Sequence, residues 1–166
     1  MTQLPEIKLL KKKNYLAMIR NAARGENNMF RDLYLTVDGV ERDAAGDGSL
    51  ACAIFVCSVL YLQNSQHNTK LIDFVHASVV STEKDLAKNG WSQINEPREG
   101  AILVWEAVKG QPVPVYGDMH HHIGFSIGNE RAISNDGDGR GIPVEHHWTY
   151  NGTRNIVRIW WHTALE

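Results

Sequence analysis

The stretch Gly46-Asp47-Gly48-Ser49-Leu50-Ala51-Cys52-Ala53-Ile54-Phe55-Val56-Cys57-Ser58-Val59-Leu60 decides how this chain is read. It opens polar and Gly-rich, then becomes an almost unbroken apolar run. A helix is expected from Cys52 to about Gln63, with Ile54, Cys57 and Leu60 on one side and Phe55, Val56 and Val59 on another. A helix apolar on nearly every face belongs inside a domain, packed on a sheet or on other helices. Cys52 stands in its first turn, near the positive end of the helix dipole, which favours the thiolate.

Roughly seventy residues further on comes His120-His121-His122-Ile123-Gly124-Phe125-Ser126-Ile127-Gly128. His122 directly enters an apolar strand, and Gly124 within that strand lets another backbone or a substrate come close. A histidine there is a candidate base for a cysteine nucleophile. Together, Cys52 and His122 predict the chemistry of a cysteine hydrolase.

Such a pair normally has a third polar residue that orients the imidazole. After the short Gly128-Asn129-Glu130 turn, which implies antiparallel neighbours, the candidates are Ser134, Asn135 and Asp136. Alternation gives Ser134 and Asp136 one face and Asn135 the other. Asn135 and Asp136 are the better chemical orienters. Two plainer readings stand beside these: Cys52 as a small buried hydrophobe, and Asn135 to Gly139 as a turn cluster.

Composition narrows the classes. At 166 residues the chain is one domain with room for a sizeable core. Seventeen Lys and Arg against nineteen Asp and Glu leave a net charge of −2, which argues against nucleic acid as a partner. No window approaches the roughly 18 apolar residues of a membrane-spanning helix, so no membrane insertion is expected. Residues 1–23 lack the apolar core of a secretory signal. The expected location is cytoplasmic as synthesised, with export by a signal-independent route as the alternative. Cys52 and Cys57 would lie about 8 Å apart along a helix, too far to bridge, and are expected as free thiols. His120, His122, His146 and His147 lack the spacing of a zinc site, and Asp136-Gly137-Asp138-Gly139 lacks the later Glu of a calcium loop. No cofactor and no metal are expected.

Along the rest of the chain, helical spacing covers residues 7–23, and residues 29–40 read as a hairpin turning at Asp38-Gly39. A helix or a strand is expected within residues 69–80. A short helix capped by Ser81 or Thr82 runs to Lys88 and closes at Asn89-Gly90. Strands are expected over 101–105, 122–127, 131–134 and 155–161, separated by Gly- or Pro-containing segments at 109–117, 128–129 and 136–143. Helices followed by antiparallel strands give an α+β class.

This arrangement resembles the NlpC-type cell-wall cysteine peptidases and, more distantly, the CHAP amidases, both papain-like folds. Ala51-Cys52-Ala53-Ile54-Phe55-Val56 keeps the Cys and Phe-Val of the family's Asp-Cys-Ser-Gly-Phe-Val helix opening. Glu99-Gly100-Ala101-Ile102-Leu103-Val104-Trp105 is similar to its Gly-Asp strand, and His122 to Gly128 follows its His-Val-Gly-Ile-Tyr-Ile-Gly strand. The resemblance spans about residues 47–134. The chain departs from the pattern at Ala51, Ala53-Ile54 and Ala101. It departs also at Ser134, which stands where the family's third catalytic residue is usually a His; CHAP-like members use Asn, a role that Asn135 could fill one residue further on. The resemblance implies a papain-like α+β domain, the Cys52 helix on a small antiparallel sheet, with residues 1–45 as a helical and extended N-terminal extension. It further implies Cys52 as nucleophile, His122 as base, Asn135 or Ser134 as the orienting residue, and a peptide or peptidoglycan fragment as substrate. Another thiol enzyme, an acyltransferase or deamidase, and an inactive binding module of the same fold are the alternatives. Oligomeric state is not legible.

Overall fold

A computed structural model describes residues 6–108 and 120–166, so the separator expected at 109–117 lies outside the described residues. The apolar run from Cys52 forms helix α2 (Cys52–Gln63), whose first four residues after Ala51 are all buried. It is preceded by α1 (Lys11–Ala22) and by a hairpin of β1 (Tyr34–Val37) and β2 (Val40–Asp43). That hairpin turns at Asp38 and Gly39, both at positive φ, as a two-residue turn between right-twisted strands requires.

After α2 the chain makes a 3-10 turn (Asn64–Gln66), an irregular stretch and then α3 (Val79–Lys88). Residues 69–78 form neither helix nor strand, because side chains take over their backbone groups. Asn64 accepts from the N–H of Leu71 at 2.7 Å and donates to the Ile72 carbonyl at 2.7 Å. The buried Asp85 carboxylate accepts from the N–H of Asp73 and of Phe74, both at 3.1 Å. Once caps of this kind satisfy the amides, no i→i−4 ladder is needed. Ser78, rather than Ser81 or Thr82, caps α3: its Oγ accepts from the Ser81 N–H.

The second half is a six-stranded antiparallel sheet of β3 (Ser92–Gln93), β4 (Ile102–Trp105), β5 (His122–Gly128), β6 (Arg131–Asn135), β7 (Pro143–His147) and β8 (Ile156–Trp161). The strand order is β3-β8-β4-β5-β6-β7. Strand β7 was not expected from its Gly- and Pro-bounded surroundings. It lies at the sheet edge with Pro143 as its first residue, where a missing N–H costs nothing. The architecture is α+β, as composition and order implied.

Residues 6–45 help to complete the core. Tyr15 and Ile19 are fully buried, and Tyr15 Oη donates to the Gly100 carbonyl at 2.8 Å. Phe55 of α2 meets Phe125 edge-on, with ring centroids 5.5 Å apart. Register puts Ile133 opposite Phe125. Ile123, Phe125 and Ile133 therefore lie under α2, while alternation sends Trp105, His122, Ser134 and His146 to the other face. No described helix is long and apolar enough to cross a membrane.

Candidate active site

The approach to Cys52 is held tightly from two sides. The Asp43 carboxylate accepts from the N–H groups of Leu33, Ala45 and Asp47, each at 2.9 Å. Opposite, the loop after β6 comes so close that a Cβ on Gly48 would stand 2.2 Å from the Gly141 carbonyl oxygen. Asn135 Nδ2 donates to the Gly48 carbonyl at 2.9 Å. The residue before the helix, Ala51, supplies no side-chain cap for the first N–H groups of α2.

His122 begins β5 directly opposite Trp105 of β4. Its Nε2 is 2.8 Å from Ser134 Oγ, on the neighbouring strand. The same hydroxyl lies 2.8 Å from His146 Nε2 and 3.1 Å from Tyr150 Oη. Trp105 covers the group, its ring centroid 5.5 Å from that of His122, 5.6 Å from His146 and 5.7 Å from Tyr150.

These contacts assign the protons. His146 Nδ1 is 2.9 Å from the His147 carbonyl, which can only accept, so Nδ1 carries the hydrogen. Burial lowers the His146 pKa, so the ring is neutral near pH 7 and its Nε2 is an acceptor. Ser134 has one proton and gives it to His146. It must therefore accept from Tyr150 Oη–H and from His122 Nε2–H. Burial first, then the charge of Arg154, holds the His122 pKa well below its usual value. With its one hydrogen on Nε2, neutral His122 keeps a basic lone pair on Nδ1.

Cys52 does not behave as its helix position alone implies. Burial pushes its thiol up to about 11, against the N–H groups of Ile123 and Ala53 and the charge of Arg154. The dipole effect is present, and loss of water outweighs it. Cys52 and His122 are each only 5% exposed, and no hydrogen bond joins the thiol to the imidazole in this resting geometry. Both groups are neutral. Cys57, fully buried one turn and a half deeper, contacts Thr82 Oγ1 at 3.3 Å and is pushed up to about 12, by burial above all.

The structure thus brings His122 and Ser134 together and sets Cys52 against the backbone of Ile123, the next residue after His122. Asn135 is spent on the loop before α2, and Asp136 accepts from the Gly141 N–H at 2.7 Å. Trp148 offers its carbonyl to Trp105 Nε1. Tyr150 and Arg154, which carried no signal in the sequence, join the site from the turn between β7 and β8. His146, by sequence a candidate metal ligand only, joins the group through Ser134. Among the described residues, no group of three or more His, Cys, Asp or Glu is placed to hold a metal ion.

Compared with protein-family models, with curated proteins and with solved structures, the chain matches none.

Proposed function

We propose that this chain is a papain-like cysteine hydrolase that cleaves an amide bond through Cys52 and His122, with Ser134 as the orienting residue. One observation carries the reading: His122 Nε2 lies 2.8 Å from Ser134 Oγ, and the proton assignment makes Ser134 the acceptor, leaving Nδ1 as the basic nitrogen. A neutral thiol and a neutral imidazole are a competent starting state if substrate binding brings them together and the base takes the proton as sulfur attacks.

In the proposed reaction His122 Nδ1 removes the Cys52 proton while Sγ bonds to the substrate carbonyl carbon. The oxyanion formed is met by the backbone N–H of Cys52, at the uncapped helix terminus. The C–N bond then breaks, and His122 returns the proton to the leaving amine. Water, activated by the same Nδ1, hydrolyses the thioester to a carboxylic acid and restores the thiol. The reaction requires the His122 ring, which strand register places on the face of β5 away from α2, to reach the Cys52 thiol once substrate is bound. The resemblance of three ordered motifs supports a peptidoglycan stem peptide or cross-bridge as substrate.

The burial of Cys52 favours a second reading, a binding module that kept the fold without the chemistry. The two separate in one experiment. Alkylation of Cys52 by iodoacetamide is followed by mass spectrometry across pH in a Cys57→Ser background, with and without His122→Ala. The hydrolase reading expects a His122-dependent rate, falling at least tenfold in the variant, and an acid limb below about pH 6.5, as a depressed imidazole requires. An inert Cys52, or one indifferent to His122, establishes the binding module instead. Release of a new amine from wall fragments, seen with an active Cys52 only, then identifies the substrate; an acyl-enzyme on some other amide would point to an acyltransferase or deamidase.

A further inference from the structure

Arg154 stands out among the arginines. Six others (Arg20, Arg31, Arg98, Arg131, Arg140 and Arg158) lie within ion-pairing distance of a carboxylate. Arg24 and Arg42 project into water. Arg154 is half-buried and has no carboxylate within ion-pairing distance among the described residues. Its Nε donates to the Glu106 backbone carbonyl at 2.9 Å, while its Nη2 is buried with no partner among those residues. Among the described residues, the carboxylate that acts on Arg154 through space, that of Glu106, accepts instead from the Asn155 N–H at 2.9 Å.

The guanidinium is held, not loose. The Arg154 backbone N–H closes the turn onto the Thr149 carbonyl at 3.1 Å, and the guanidinium lies over the Tyr150 ring, 5.9 Å from the centroid. Tyr150 is in turn bonded to Ser134, and Ser134 to His122. The positive charge is therefore one ring away from the hydrogen-bonded group that carries the base. It reaches the thiol as well, acting on Cys52 through space. A cation withdrawn from water with free N–H groups is costly unless an anion completes it, and a planar carboxylate is the anion its fork fits.

We propose that Arg154, over the Tyr150 ring of the candidate active site, is a carboxylate-binding subsite that selects substrates bearing a free carboxylate next to the scissile amide. This inference rests on Cys52 being the nucleophile. Such a substrate would supply the partner that Arg154 Nη2 lacks among the described residues.

Paired reagents that differ only in charge test this. Iodoacetate is compared with iodoacetamide, and 3-bromopropionate with 3-bromopropionamide, on Cys57→Ser protein that carries Arg154, Arg154→Lys or Arg154→Gln. Any change in thiol reactivity cancels in each acid-to-amide rate ratio. The expected result is a ratio at least about tenfold higher with Arg154 than with Arg154→Gln in one pair or both, and intermediate for Arg154→Lys. Should the variants not fold, protection of the Arg154 protein decides: propionate should slow iodoacetamide, and propionamide should not. Equal ratios in all three proteins, or equal protection by acid and amide, overturn the subsite while leaving the hydrolase reading intact. A Cys52 that reacts with no reagent overturns both.

Discussion

Helix α2 carries two thiols, and its two positions differ in what surrounds them rather than in how far they are buried. Cys57 meets the Thr82 hydroxyl and the His76 backbone N–H within the hydrophobic core. Cys52 has backbone N–H groups, an arginine's field, and a histidine entering the adjacent strand. Burial raises both, to about 12 and about 11. Under the proposed function, what would separate a structural from a reactive thiol here is the supply of groups able to receive a proton and a negative charge. Fractional exposure would not have told them apart.

The comparison breaks most severely at the loop that delivers Cys52. Gly48→Ala must either clash with the Gly141 carbonyl or move the loop, and its φ of +86° is costly for alanine. We expect a loss of about 3 kcal/mol or more in denaturant unfolding. Gly152→Ala has a similar φ of +86° but nothing within 4 Å, and should lose only about 1 kcal/mol.

Acidity acts next. Burial lowers the pKa of His122, His67, His120 and His146 in the folded chain, so below about pH 6.5 the unfolded state binds protons that the folded state refuses. Stability should fall as pH falls, with a slope of up to about 1.4 kcal/mol per pH unit for each such ring. At the alkaline end the two thiols act in the opposite sense. Above about pH 8.5 the unfolded chain sheds thiol protons that the folded chain keeps, so stability should fall as pH rises. Thermal melts across pH 4.5–10 in wild type and Cys57→Ser would read both limbs.

A smaller effect is expected at Ser134. Removing its hydroxyl leaves three neighbours short of a partner and frees the His122 ring to choose its tautomer. Ser134→Ala should cost about 1–3 kcal/mol and slow Cys52 alkylation by about tenfold or more. Cys57→Ser should matter least: a hydroxyl can keep the Thr82 contact, so about 1 kcal/mol is lost and Cys52 reacts as before. If Cys57→Ser instead changed Cys52 reactivity, the two thiols would not be independent, and the comparison itself would fail.

Much of the frame was legible because local rules met no opposition. The extent of α2, the Asp38-Gly39 turn, four central strands and the antiparallel β5–β6 pair all follow from periodicity and turn chemistry. Legibility failed where side chains replace backbone ladders, as Asn64 and Asp85 do for residues 69–78. It failed again at β7, whose existence depends on a partner strand rather than on its own pattern. In the candidate site, the sequence offered Asn135 on grounds of chemistry. The fold spends that amide on Gly48 and gives His122 to Ser134, because the pleat sends consecutive residues to opposite faces.

The sequence alone determined that an apolar helix begins at a cysteine and that a histidine opens an apolar strand, since both are facts of local pattern. Only tertiary structure decided the state of those two residues. Burial depends on what packs around a group, and here it outweighs the helix dipole at Cys52 and strips the charge from His122. The same holds for Ser134, His146, Tyr150 and Arg154. They come from β6, from β7 and from the turn before β8, and proton bookkeeping among them has meaning only once strand register has brought them within hydrogen-bonding distance.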